Sequence, residues 1–211
     1  MEDTHTITGN KLPEERENPV DRVFLRMSSS LLPWFRSTGH IPNTITTYSF
    51  VMGLLAVGAL RVGHITLFSV FMVLSYFFDC VDGQFARRYD MVTAFGDWYD
   101  HLTDTTIVLL LMVVISQRYH ISLMTVFLCG FLLSIPVLSH FGCQQQQVPK
   151  ATQSSETLDK FRCMCARNKH WPQISRFFGS GTLLVVILVS VWWLEEARRC
   201  SSSAAPHEGA Q

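Results

Sequence analysis

Six aspartates fall between positions 79 and 104 of this chain: Asp79, Asp82, Asp90, Asp97, Asp100 and Asp104. On a helix, Asp79 and Asp82 are three apart and share a face. Asp100 and Asp104 are four apart and share another, with Asp97 beside them. Two antiparallel helices bring the pairs together. Four carboxylates at close quarters repel unless cations neutralise them. Hard divalent ions with oxygen ligands, Mg²⁺ or Mn²⁺, suit such a set. Gly83 and Gly96 stand beside the two pairs. Glycine costs a helix up to ~1 kcal/mol against alanine, so its presence here signals close approach of a helix or a ligand. Ala86 is also small, and Arg87 offers a planar fork that pairs bidentately with phosphate. The chemistry this predicts is phosphate-bearing and metal-assisted. Taken alone, Asp90 and Asp97 read as an interfacial rim.

The elements that hold this block are read from the distribution of polarity. The chain has 211 residues, 48% hydrophobic and 16% charged. That charged share is well below the ~25% of an ordinary soluble domain. Lys+Arg and Asp+Glu balance at 17 each, so no basic excess points to nucleic acid. Polar residues concentrate in 1–40, 141–176 and 195–211. Between them lie five apolar stretches, Ile41–Leu60, His64–Phe78, Thr105–Ser116, Ile121–His140 and Phe177–Leu194. A spanning helix needs ~20 mostly apolar residues. The second and third stretches reach that length only by including the acidic block, which therefore lies at the membrane. Acids in such helices are functional candidates by default.

The expected fold is all-α, a polytopic membrane helical bundle. Five spans are predicted, with room for a sixth in the 141–176 loop. An N-terminal amphipathic helix is expected over Val20–Trp34, with Val20, Val23, Phe24, Met27, Leu31 and Leu32 at close to helical spacing. The expected parts are a polar tail (1–19), a membrane domain (20–194) containing a polar cytoplasmic loop (141–176), and a disordered tail (195–211). Residues 1–20 lack the basic-then-apolar order of a signal peptide, so the first span is expected to direct insertion. With the N-terminus inside, Arg61, Arg118, Arg198 and Arg199 fall outside and every other Lys and Arg inside. By the positive-inside rule the acidic block then faces the cytoplasm.

The six cysteines are scattered, three of them (Cys143, Cys163, Cys165) in the polar loop. No disulfide framework is expected, and a reducing compartment opposes one. These three with His170 lack the paired Cys-x₂-Cys knuckle of a zinc site.

The acidic block resembles the signature of the CDP-alcohol phosphatidyltransferase family, D-x₂-D-G-x₂-A-R-x₈-G-x₃-D-x₃-D. Asp79, Asp82, Gly83, Ala86, Arg87, Gly96, Asp100 and Asp104 fill its specified positions. Upstream, Ile41-Pro42-Asn43-Thr44-Ile45-Thr46 resembles the Pro-Asn-x-Ile-Thr start of that family's first span. The resemblance covers roughly residues 20–140, and the family usually has six spans. It implies transfer of a substituted phosphoryl group from a CDP-alcohol to a second alcohol, with release of CMP. It implies two divalent cations, Mg²⁺ or Mn²⁺, held by Asp79, Asp82, Asp100 and Asp104, with Asp104 also the general base. It implies CDP-alcohol contacts from Asn43, Thr44, Ile45, Thr46, Gly83, Ala86, Arg87, Thr93 and Gly96.

The leading expectation is a phosphatidyltransferase in phospholipid biosynthesis. Its donor is CDP-diacylglycerol and its acceptor a small polar alcohol of the inositol or glycerol 3-phosphate type. The bilayer is a partner, and a homodimer is expected by analogy with the family. If the chain is eukaryotic, an endomembrane of the endoplasmic-reticulum kind is expected. The alternative enzyme is a CDP-choline or CDP-ethanolamine:diacylglycerol phosphotransferase. Other classes are an inactive scaffold and a cation-binding membrane protein. Gly83, Ala86 and Arg87 speak against a mere cation path, and Asp104 against a scaffold. Lys150, Lys160, Arg162 and Arg167 suit a phosphorylated acceptor or anionic lipid headgroups, the second being the preferred reading.

Overall fold

The computed structural model describes residues 9–13, 16–147, 158, 160–165 and 171–203. Among these the fold is helical, without strands. Helix α1 (Pro19–Ser37) begins where the Asn18 side chain accepts from the Val20 amide at 2.9 Å. Pro19 suits the first turn because its missing N–H needs no partner there. The buried face of α1 is Asp21, Leu25, Ser28, Leu32 and Phe35, at alternating spacings of four and three. The apolar residues expected to share one face divide. Leu32 packs inward, while Val23, Met27 and Leu31 point away from the protein together with Trp34. One stripe of α1 therefore docks on the bundle and another is left for lipid.

Four spans follow as α2 (Pro42–Val62), α3 (Ile65–Arg88), α4 (Ala94–Tyr119) and α5 (Leu123–Gln147). Further along the chain come α6 (Trp171–Ser175) and α7 (Ser180–Ser203). Helices α2, α3, α4, α5 and α7 are long and apolar enough to cross a membrane. The two stretches that looked short lengthen as expected, with the acidic block inside the last turns of α3 and the first turns of α4. Gly63 ends α2 in the left-handed region at φ 91°, which frees the chain to reverse into α3.

Apolar surfaces gain little from meeting one another in lipid, so close backbone approach and hydrogen bonds hold such helices together. Across α2 and α3, Ser49 Oγ donates to the Ser75 carbonyl and Ser75 Oγ to the Ser49 carbonyl, each at 2.9 Å. Ala56, Leu60, Phe68, Ile107, Leu111 and Val191 form the interior. At the end away from the acids, Arg118 pairs with Glu195 at 2.8 Å and Arg61 donates to Gln117. Arg198 and Arg199 approach the same Glu195. The four cations separated from the rest by the charge count thus gather at one end of the bundle.

Three expectations change. The polar loop does not begin at 141, because α5 continues to Gln147. Two of its glutamines find partners, with Gln146 donating to the Arg162 carbonyl at 2.7 Å and Gln147 to the Cys143 carbonyl at 3.3 Å. The five predicted spans stand, and the room left for a sixth is not filled among the described residues, where Lys160–Met164 and Arg176–Phe178 are 3₁₀ turns and α6 is a single short helix. Cys143 and Cys165 form a disulfide, contrary to expectation. The long α5 carries Cys143 onto the face that receives the 160–164 turn. Gly142 lets the Phe161 carbonyl approach so closely that a Cβ would collide with it. That bridge leaves no shared Cys143–Cys165 zinc site. Helix α7 also runs to Ser203, past the boundary expected at 195. Lys150, Arg167, Lys169, His170 and residues 204–211 lie outside the described residues.

Candidate active site at the cytoplasm-predicted end of the bundle

The antiparallel α3 and α4 bring Asp79, Asp82 and Asp100 together. One carboxylate oxygen from each lies within 4.8 Å of the others. Asp82 is 5% exposed, and its Oδ2 is buried without a hydrogen-bond partner. An orphaned buried acceptor is costly unless a ligand satisfies it. With hard oxygen donors on three sides, this set fits a divalent cation. Asp104 stands one turn further along α4. It is not among the three grouped acids, and its carboxyl is open to the neighbouring cleft.

The glycines are explained by what surrounds them. A Cβ on Gly83 would lie 3.2 Å from Arg87 Nη1, so the bare backbone lets the guanidinium fold over it. A Cβ on Gly96 would lie 3.1 Å from both Asn43 Oδ1 and Thr93 Oγ1. Thr93 caps α4 by accepting from the Gly96 amide at 3.0 Å. Asn43, Thr93 and Gly96 are therefore one locus, built from the starts of α2 and α4. Thr46 is buried, with its hydroxyl toward the Pro42 carbonyl and in hydrogen-bonding reach of Asp82. Ile45 is fully buried in a cluster with Val81 and Phe85, so its side chain packs rather than faces a ligand. Thr44 and Ala86 are half-buried and do not line the cleft.

Beside the acids opens a cleft of about 1190 Å³. Asp79, Asp82, Asp100, Asp104, Gly83 and Arg87 line its polar end. Side chains such as Leu109, Met112, Leu133, Val186 and Ile187 from α4, α5 and α7 line the rest, and the lining is mostly apolar. Asn43–Thr46, Thr93 and Gly96 lie outside it.

Several residues at this site carried no signal in the sequence. The segment before α1 crosses the polar end of the cleft as a strap. Arg87 Nε donates to the Gly9 carbonyl at 2.7 Å, and Gln84 Nε2 to Asn10 Oδ1 at 2.7 Å. Leu12 is 2% exposed, and its amide donates to Glu17 Oε1 at 3.1 Å. Lys11 and Glu17 both line the cleft. Burial pushes the Lys11 ammonium down to about 8, assisted by the charge of Arg87. Burial pushes the Glu17 carboxyl up to about 7, with the Asp21 charge adding to it. Asp21 is raised by burial as well, against which Tyr76 Oη donates to Oδ1 at 2.7 Å and the Gly181 amide at 2.8 Å. His101 faces the cleft and Asp97, at 3.6 Å. Contacts across 74 and 78 positions leave no local pattern to read.

A five-span bundle carrying an acid cluster beside an apolar cleft is what the fold and site define. The chain belongs to the CDP-alcohol phosphatidyltransferase family, whose pattern matches residues 39–203. Over 102 residues it is 36% identical to CDP-diacylglycerol–inositol 3-phosphatidyltransferase 1 of Arabidopsis thaliana, covering 48% of this chain and 43% of that protein. Over 111 residues it is 34% identical to the probable CDP-diacylglycerol–inositol 3-phosphatidyltransferase 2 of the same plant, covering 47% of each. The match spans less than half the length of either relative.

Proposed function

We propose that this chain transfers a phosphatidyl group from CDP-diacylglycerol to the hydroxyl of a small polar alcohol, releasing CMP, with inositol the first acceptor to test. One observation carries this reading: a cluster of acids with an uncommitted carboxylate oxygen opens directly into a long apolar cleft. The polar end suits a diphosphate and the apolar length suits acyl chains. The inositol-transferase names of the two relatives support the choice of acceptor. Residues 20–194 form the catalytic membrane domain. The gathering of Arg61, Arg118, Arg198 and Arg199 at the opposite end supports a site facing the cytoplasm.

The roles follow from position. Asp79, Asp82 and Asp100, with Asp104, hold divalent cations, Mg²⁺ or Mn²⁺. Those cations, when bound, withdraw charge from the diphosphate and stabilise the leaving CMP. Arg87, folded over Gly83, presents its fork to phosphate oxygens. Asn43, Thr44, Thr46, Ala86, Thr93 and Gly96 shape the cytidine side. The acceptor hydroxyl forms its bond to the phosphatidyl phosphorus as the bond from phosphorus to the CMP oxygen breaks. A carboxylate oxygen of Asp104 takes the hydroxyl proton, since an alcohol is a poor nucleophile at neutral pH. Asp104 stands apart from the three grouped acids and open to the cleft, which leaves it free for that task. Alignment of the reacting groups supplies much of the remaining acceleration.

The test is purified protein in lipid nanodiscs with labelled CDP-diacylglycerol and, separately, inositol, glycerol 3-phosphate or serine. CMP release with one acceptor, lost on chelation and restored by Mg²⁺ or Mn²⁺, is expected. Reaction only of CDP-choline with diacylglycerol would replace this reading with the phosphotransferase one.

A further inference from the structure

We infer that Lys11, carried by the strap before α1, is a phosphate-binding residue of the site. The inference rests on the transferase reading above. Of the lysines and arginines among the described residues, Lys11 and Arg87 are those lining the cleft. Lys160 and Arg162, weighed from sequence for a phosphorylated acceptor, do not line it. Among the described residues no hydrogen bond or ion pair holds the Lys11 ammonium. Its stem is committed by the strap around it, since Gly9 and Asn10 are tied to Arg87 and Gln84 and Leu12 is buried.

Gly9 makes that placement exacting. Its φ of +73° favours glycine, and a Cβ would collide with the Gln84 carbonyl oxygen. The backbone thus passes directly over α3, two residues before Lys11. The same passage engages Nε of Arg87, leaving the rest of that fork available. Strap and arginine thus bring two cations into the lining that the acids share.

Charge balance gives these cations their purpose. Four aspartates with two divalent cations are neutral together. A diphosphate diester then brings about two negative charges into a low-dielectric cleft, where unpaired charge is costly. Arg87 and Lys11 are the two cations of the lining that can answer that charge, with Glu17, pushed up to about 7, and Asp21 beside them. Burial holds Lys11 at about 8, so it is charged at neutral pH and loses that charge in mildly alkaline solution.

The experiment uses the full chain in nanodiscs and compares wild type, Lys11→Met, Lys11→Arg and Gly9→Ala. A hydrogen bond from a charged donor predicts a roughly 10- to 100-fold rise in the KM for CDP-diacylglycerol in Lys11→Met, with kcat far less affected. Lys11→Arg restores most of the loss. Gly9→Ala displaces the strap and mimics Lys11→Met, and combining the two adds little, since the ammonium is already withdrawn. If the phosphate belongs to the acceptor, the KM for glycerol 3-phosphate rises while those for inositol and the donor hold. That outcome supports the same contact with the other phosphate as its source. Unchanged KM values for every substrate in a Lys11→Met variant with wild-type thermal stability overturn the inference. A wild-type protein that releases no CMP with any acceptor refutes the transferase reading instead. Equilibrium binding of CDP-diacylglycerol, which needs no turnover, then judges Lys11 separately: equal affinity in Lys11→Met and wild type overturns it.

Discussion

Asp82→Asn should stabilise the protein without divalent ions and destabilise it with them. The three grouped acids have oxygens within 4.8 Å of one another. At that separation and an effective dielectric near 20, each charged pair repels by about 3 kcal/mol. Asparagine at 82 keeps the shape and removes two of the three repulsions. In chelator, the variant should unfold several degrees above wild type, since ~1 kcal/mol moves the midpoint of a chain this size by about 2–4 °C. With saturating Mg²⁺ the order should reverse, because wild type gains binding energy that the variant lacks. Tryptophan fluorescence during heating, with and without Mg²⁺, reads both arms. A variant less stable than wild type by the same amount in chelator and in Mg²⁺ would refute a repulsive, cation-holding cluster.

Asp104→Asn should lower kcat by roughly 10²- to 10⁴-fold, as measured by CMP release. Gly96→Ala should weaken donor binding, because the added carbon presses on Asn43 and Thr93; Gly58→Ala, with nothing within 4 Å, should bind as wild type does. Strap docking should be weakest between pH about 7 and 8. Glu17 rises on docking from 4.5 to about 7, facing Asp21, Arg87 and Lys11, so docking weakens as pH climbs through that window. Lys11 falls from 10.5 to about 8, facing Arg87, Glu17 and Asp97, so docking strengthens again above pH 8. Hydrogen-exchange protection of the Leu12 amide, corrected for intrinsic rates, should pass through a minimum there; a monotonic trend would contradict it.

The acids were legible in the sequence because their chemistry and helical spacing coincide. Asp79 and Asp82 share a face whatever surrounds them, and Gly83 and Gly96 mark the crowding that the structure displays. The spans were legible because their apolar stretches are long. The strap was not, since Gly9, Asn10 and Lys11 form no periodic pattern and meet α3 only through tertiary contacts. The end of α5 was misread for a related reason. Gln144–Gln147 looks like a loop, yet in the helix Gln146 reaches the Arg162 carbonyl, and Gln147 the Cys143 carbonyl and the Arg16 side chain. The Cys143–Cys165 pairing depended on that same unrecognised helical turn. On α1, hydrophobicity could not tell the protein-facing stripe from the lipid-facing one, because the docked face includes Asp21 and Ser28.

That double-sided α1 has a mechanical meaning. Val23, Met27, Leu31 and Trp34 form its keel in the lipid, while Asp21 moors it to Tyr76 on α3 and Gly181 on α7. The strap hangs from the same helix. Any force on the exposed side of α1 would thus reach Lys11 through one rigid lever, with Tyr76 and Gly181 as its fulcrum.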